Sequence, residues 1–430
     1  MKIVAASDRE ALKRLYADGW ETPAAVAQGV TSILSDVRSR GDEALAEYTR
    51  RFDFPDASAA SLRVTLPALD EARAGIPPEV ADGLALAHDR VTRFHEMQRP
   101  HDHEHRDADG TLSALLVRAF GAVGAYVPGG TARLPSSLVM SVVPAKIARV
   151  ARVVVVTPPR PDGSIDPAIL FAAALCGVDE LYAVGGAQAI GALAFGTQTI
   201  ARVDKIVGPG SIWVTEAKRQ VFGICGIDGL AGPSEVLVVA DDSAKAEFVA
   251  GELVAQAEHD PLARVAAVSE DRGLLERVAD LLEAEFAIEG GRSEIVQRVM
   301  RDGAYLIHAA NGAEILEVID RFAPEHLSLQ VRDPLPLVAQ VRRAGAVFVG
   351  AHTPVASGDY LAGSNHVLPT SGSARFSSGL RTGDFYRTMS LIENSRRRML
   401  HDAPILAALA NFEGLPAHAR TAEMRVRDDD

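Results

Sequence analysis

The chain has 430 residues, 47% of them hydrophobic, which is enough to bury more than one core. Its 44 basic and 57 acidic residues leave a formal charge of −13, which argues against a broad nucleic-acid footprint but leaves room for a local basic pocket. No apolar run approaches the ~18 residues of a membrane span, and MKIVAASDRE lacks the apolar stretch of a signal peptide, so a cytoplasmic protein is expected.

From Thr22 to Arg106 the pattern predicts helices. AAVAQGVTSILSDVRSRGDEALAEYTRRF and VADGLALAHDRVTRFHEMQRP repeat apolar residues at three and four, and Pro100 closes the second stretch. HDHEH, with His101, His103 and His105, reads as a solvated loop rather than a metal site. After Gly121 the grammar changes. VVVVTPP from Val153 is a buried strand, and IDPAILFAAALCG is a helix. ELYAV and DKIV are strands, each followed by a glycine turn and a helix. A second such unit starts at EVLVVA from Glu235. It continues through the helix KAEFVAGELVAQAEHD, RVAAVSE, the helix LLERVADLLEAEF, YLIHAA, LSLQV and GAVFVG. After about Arg387 the chain reads as helical, with RVRDDD as a frayed end.

The fold class expected is α/β, with two Rossmann-like domains on mostly parallel sheets and helical N- and C-terminal extensions. The boundaries fall at 1–110 for the helical N-terminal region, 111–232 and 233–386 for the α/β domains, and 387–430 for the extension. A cleft is expected at the strand C-termini. Cys176 and Cys225 sit in apolar surroundings and read as small buried hydrophobes.

Three glycine turns lie at YVPGG (Tyr126), VGGAQ (Val184) and VGPGS (Val207). The last two follow strands and precede helices, where backbone N–H groups favour an anion. The GxGxxG spacing of the usual NAD fingerprint is absent. Gln188 and Ser211, just beyond two of the turns, can bond a ribose or phosphate or simply cap a helix. In QAEHD, Gln256 and His259 are three apart on a predicted helix and share a face. With Asp359 in SGDYLAG and His418 in GLPAHA they supply an amide, two imidazoles and a carboxylate, a set that suits zinc. Glu325 and His326 in RFAPEHLSL occupy a loop–strand junction, where a histidine can move protons and a glutamate can orient it or activate water. Read locally, the same residues also suit exposed helix ends, an Asx-turn and a surface charge pair.

The ordered series YVPGG, LPSSLVM, VPAKIA, AVGGAQAIGALAFGT, KIVGPG, AKRQVFG, AGPSEVLVVAD, QAEHDP, APEHL, GDYLAG, NHVLPT, ARFSSGL and EGLPAHA resembles the histidinol dehydrogenase family over nearly the whole chain. The resemblance implies zinc held by Gln256, His259, Asp359 and His418, and acid–base work by Glu325 and His326. It implies substrate contacts from these residues with Ser234, His366 and Glu413, and NAD near Tyr126, Gln188 and Ser211. It implies a homodimer whose C-terminal segments are exchanged, with Glu413 and His418 serving the partner's site. The implied reaction is four-electron oxidation of L-histidinol to L-histidine through the aldehyde, reducing two NAD.

The chain departs from the family's usual residues at Leu134 (Tyr), Ser211 (Asn), Asp320 (Asn) and Val355 (Glu). These departures leave open a zinc- and NAD-dependent relative acting on another amino alcohol or a sulfonated diol. A binding protein without turnover is a further alternative. Glu413 beside His418 favours an amino alcohol over a sulfonate.

Overall fold

The computed structural model describes residues 1–16, 21–129, 134–284 and 292–427. It resolves into two compact units, one of Met1–Gln98 with Gly121–Phe385, the other of Arg99–Phe120 with the chain from Tyr386 onward. In chain order the strands are β1 (Ile3–Ala5), β2 (Arg63–Val64), β3 (His103–Arg106), β4 (Leu112–Ala119), β5 (Ala122–Tyr126), β6 (Arg152–Thr157), β7 (Glu180–Ala183) and β8 (Lys205–Val207). There follow β9 (Gly226–Ile227), β10 (Glu235–Ala240), β11 (Arg264–Ser269), β12 (Ala304–His308), β13 (His326–Gln330), β14 (Ala346–Val349) and β15 (Tyr386–Glu393).

The first unit holds two six-stranded sheets. One has the order β2-β7-β6-β5-β8-β9 and is parallel apart from β2 at its edge. The other, β1-β12-β11-β10-β13-β14, is parallel throughout. Parallel strands need crossovers that cover both faces, so their sequences lose the apolar–polar alternation. VVVV in β6 and EVLVVA in β10 are accordingly buried along their length.

The N-terminal helices belong to these sheets rather than to a separate layer. Ala24–Arg40 packs on the helix Gly186–Phe195 in one core with Val154, Val156 and Tyr182. Gly191 permits the close approach, since a Cβ there would lie 3.1 Å from Leu34. Leu12 and Leu15 join the core on one face of the second sheet, and β1 adds its edge strand. Cys176 and Cys225 are free and buried, and burial pushes both thiols up to about 12. Among the described residues no helix is long and apolar enough to cross a membrane.

The second unit is an antiparallel sheet, β15-β4-β3, with the helices Arg396–Phe412 and Pro416–Met424. It corrects two expectations. The chain after Arg387 is not at once helical, because β15 pairs with the full length of β4 before the helix begins at Arg396. His103–Arg106 is exposed, as expected for HDHEH, but its backbone pairs with β4 and makes it a strand. In the first unit the helix read through QAEHD ends at Ala257, so His259 lies in the turn beyond it. The end of the predicted helix at Glu285 and Phe286, and Asp428–Asp430 of the expected frayed end, lie outside the described residues.

A buried ion pair locks one glycine turn. Lys218 Nζ donates to Asp228 and to the Gly208 carbonyl at 2.9 Å, and Gly208 N–H donates to Asp228 Oδ2 at 2.7 Å. Gly208 has φ +106, and a Cβ there would lie 2.2 Å from the Tyr126 carbonyl oxygen, so only glycine fits. Asp228→Ala strands the Lys218 charge and is expected to cost about 3–5 kcal/mol in urea unfolding. Removing the exposed Arg93–Asp89 pair should cost less than about 1 kcal/mol in the same measurement.

Candidate active site

In the second sheet, β10 and β13 pair in parallel with Val236 beside His326. This register brings Ser234 and Glu235 alongside Glu325 and His326 at the N-terminal edge of the sheet. The strand start is sharply defined. The helix Gly312–Phe322 stops at Ala323, a buried residue with φ +46, and Pro324 prevents its continuation. The crossover helix Ala246–Ala257 runs back against β10, so its last turn returns to the same edge and carries Gln256 with it. His259 follows in the turn, its N–H bonded to the Gln256 carbonyl at 3.4 Å. The expected cleft at strand C-termini therefore does not describe this site. A cavity of about 460 Å³ does lie at that opposite edge, lined by Asp241, Asp242, Glu270 and Asp271, away from the acid–base pair.

Glu325 and His326 are buried and held by one residue. Glu235 N–H donates to Glu325 Oε2 at 3.0 Å, and His326 Nδ1–H donates to the Glu235 carbonyl at 2.9 Å. Glu325 Oε2 also lies 3.4 Å from His326 Nδ1. The carbonyl fixes the tautomer, leaving Nε2 as the nitrogen that can accept or give a proton. Burial disfavours the imidazolium, but the adjoining Glu325 carboxylate, with Asp359, outweighs it and raises His326 to about 9.

Asp359 ends near this pair in the short helix Val355–Tyr360. Its carbonyl accepts from His366 Nδ1–H at 2.8 Å, and Ser137 Oγ–H donates to His366 Nε2 at 3.1 Å. Both ring nitrogens are thus engaged by a neutral imidazole, and burial lowers the His366 pKa. Glu252, one turn before Gln256, accepts from Val355 N–H with both oxygens at 3.1 and 3.2 Å. Burial raises its pKa, and it lies within electrostatic reach of His326 and Asp359.

Among the described residues no group of three or more His, Cys, Asp or Glu is arranged to hold a metal. The side chains of Gln256, His259 and Asp359 nevertheless make no hydrogen bond to any described residue, although Gln256 is only 2% exposed. Their amide oxygen, imidazole and carboxylate are donor types that suit zinc. Glu413 and His418 belong to the other unit. They lie at the junction of its two helices, and both are exposed.

The first sheet presents the opposite edge. Tyr126 ends β5, and its hydroxyl accepts from Gly186 N–H at 3.3 Å; burial pushes the phenol up to about 12. Gln188, in the first turn of the helix Gly186–Phe195, is buried with its amide unbonded among the described residues. Ser211 occupies the N-cap position of Ile212–Val221 without a side-chain capping bond and is exposed. A cavity of about 720 Å³ opens at this C-terminal edge, with Asp53, Gly129, Thr157 and Arg160 in its wall. Asp53 accepts from Gly185 N–H, while its Oδ2 is buried without a partner among the described residues; burial raises the carboxyl to about 6.

Sequence reasoning missed Glu235, Glu252, Arg264 and Asp53. Glu235 opens an otherwise apolar buried strand, and Glu252 lies on the Gln256 face of its helix, so both carried a readable signal. Asp53 follows an exposed helix end and carried none.

The chain matches the histidinol dehydrogenase family over residues 19–426. It is 47% identical to the histidinol dehydrogenase of Rhodospirillum rubrum over 417 residues, covering 97% of this chain and 96% of that protein. It is 45% identical to that of Gluconobacter oxydans, covering 93% of each. The crystal structure of histidinol dehydrogenase from Elizabethkingia anophelis superposes with a TM-score of 0.92 at 31% identity, covering 99% of this chain and 98% of that one. With two strong relatives and a shared fold over the full length, this chain belongs to the histidinol dehydrogenase family.

Proposed function

We propose that this protein oxidises L-histidinol to L-histidine in two successive NAD-dependent steps. The observation that supports the reading is the buried Glu325–His326 pair, with Asp359 within electrostatic reach, in a chain of this family. Gln256, His259 and Asp359, with His418 from a second copy, would hold zinc, which when bound supplies a Lewis acid and an anchor for the amine and imidazole nitrogens of the substrate. NAD, which accepts a hydride in each step, would lie along Tyr126, Gln188 and Ser211.

The chain's own groups divide the remaining work. His326 Nε2 takes the hydroxyl proton as the carbinol carbon loses hydride, giving the aldehyde. Glu325 holds a water against that carbon, and addition of the water gives the hydrate. Once the first proton has passed from Nε2 to solvent, His326 takes one proton from the hydrate as the second hydride leaves, giving the carboxylic acid, which loses its remaining proton to become the carboxylate. Ser234, His366 and Glu413 would orient the substrate's polar ends. The sum is one alcohol, one water and two NAD converted to one acid, two NADH and released protons.

Another amino alcohol or a sulfonated diol is the competing substrate. Val355 stands where the family often has a charge, and its N–H donates to both oxygens of the buried Glu252 at the same helix start. Asp320 lies in the helix Gly312–Phe322, where its carbonyl accepts from Arg343. Leu134 stands at the N-cap of Pro135–Ile147, and no feature of the structure explains it. Exposed Leu406, Leu409 and Phe412, on the helix leading to Glu413, suit a C-terminal segment that serves a second copy.

The direct test is product analysis of zinc-loaded protein with L-histidinol and NAD. The expected stoichiometry is about two NADH per L-histidine formed. No turnover of histidinol together with turnover of another amino alcohol or a sulfonated diol would replace the substrate.

Proton abstraction needs neutral His326. With its pKa near 9, the neutral fraction grows as pH rises, so kcat/KM should climb with pH and level off above about 9. Glu325→Gln removes the charge that raises this value and should move the rising limb to lower pH.

If His418 acts in trans, inactive His326→Ala and His418→Ala chains complement each other. Random reassociation of equal amounts should restore about one quarter of the parental activity, because half of the dimers each regain one intact site. A mixture that stays inactive after verified exchange would assign His418 to its own chain's site.

A further inference from the structure

We infer that Glu235 is the positioning residue of the Glu325–His326 pair, deciding where the two side chains stand and how tightly they hold protons. The inference rests on the acid–base role proposed for that pair.

The backbone of Glu235 touches both members. Its N–H donates to Glu325 Oε2 and its carbonyl accepts from His326 Nδ1–H, so a shift of the two peptide groups that flank its Cα moves the carboxylate and the ring together. Its side chain is fully buried, within electrostatic reach of Glu325. Glu235 Oε1 accepts from Arg264 Nη2 and, at 3.1 Å, from Ser371 N–H. Arg264 is fixed in turn by the Leu15 carbonyl at 2.9 Å and lies over the Phe322 ring at 5.5 Å. Ser371 holds φ +54, an uncommon conformation for a residue with a side chain, while aiming its N–H at this carboxylate.

The arrangement is not what stability alone would select. Glu235 Oε2 is buried with no partner among the described residues, and a buried ion pair with an unsatisfied oxygen gains little over an apolar pair. The charged groups facing this carboxyl are Arg264 from β11 and Glu325 from the loop before β13, while His326 meets the backbone carbonyl of Glu235 and reaches the carboxyl through Glu325. Burial raises the Glu235 carboxyl to about 7, with Arg264 pulling it down and Glu325 pushing it up. Its charge therefore changes within the range in which the acid–base pair works, and Coulomb coupling across a buried site passes that change to its neighbours.

The test is an NMR titration of the His326 ring in full-length protein labelled at histidine, with the resonance assigned by its loss in His326→Gln. Glu235→Gln removes a negative charge from the buried cluster behind the pair, so the His326 midpoint should fall by about one pH unit. Arg264→Gln removes the cation that pulls the Glu235 carboxyl down, so the step that Glu235 imprints on the His326 curve should move to higher pH. The rising limb of kcat/KM should move to lower pH in Glu235→Gln. Folded variants whose midpoints and pH profiles coincide with the parent's would overturn the inference, even if their kcat is reduced, because a merely structural role lowers activity without moving a titration. If one variant does not fold, the sign of the other decides. If neither folds, the parent's own curve decides: a second inflection near pH 7 supports coupling to Glu235, and a single step overturns it. The titration needs no turnover, so a chain that fails to oxidise histidinol but shows these shifts refutes the substrate and not the coupling.

Discussion

The parallel pairing of β10 with β13 is the constraint on which the candidate site depends. Its register sets Val236 beside His326, which puts the peptide groups of Glu235 within hydrogen-bond reach of both Glu325 and His326. A slip of one residue would turn every side chain of β13 to the other face and separate the pair from this anchor. The apolar runs on either side resist such a slip, because both faces of the sheet are covered and each side chain already has a place in a core.

The same topology recruits the other polar groups. A right-handed crossover returns the chain to the edge where its strand began, so the end of Ala246–Ala257 brings Glu252 and Gln256 to the edge that bears Glu235. Glu252 then reaches across to cap Val355, which orients the short helix bearing Asp359. Ser137 and the Asp359 carbonyl together hold His366 in a single neutral orientation. The side chains of Gln256, His259 and Asp359 have no hydrogen-bond partner among the described residues, and neither does Glu235 Oε2 on the same edge.

Charge is distributed to match. The chain carries a net negative charge, while two charge clusters lie inside it: Lys218 with Asp228, and Glu235 with Arg264 and Glu325. The first of these pairs stiffens a glycine turn at the C-terminal edge of one sheet. The second lies behind the acid–base pair at the N-terminal edge of the other. Low dielectric strengthens both interactions and makes the loss of either partner costly.

Much of the fold was legible in the amino-acid sequence. Runs such as VVVV and EVLVVA have few ways to hide other than a covered parallel strand, and glycine turns followed by apolar periodicity predict the crossover helices. The chemistry-bearing types were also legible, from Glu325 and His326 at a strand start to Gln256 near a helix end, and the ordered motifs pointed to the family. β15 was not, because a strand paired only with β4 owes its conformation to a partner more than 260 residues earlier (Tyr386↔Ala119). Nor was the role of Glu235, the cap from Glu252 to Val355, or the approach of Asp53 to Gly185. Local periodicity fixes which face of an element is apolar, whereas register and crossover decide which distant polar groups share an edge, and their proton affinities follow only from that shared burial.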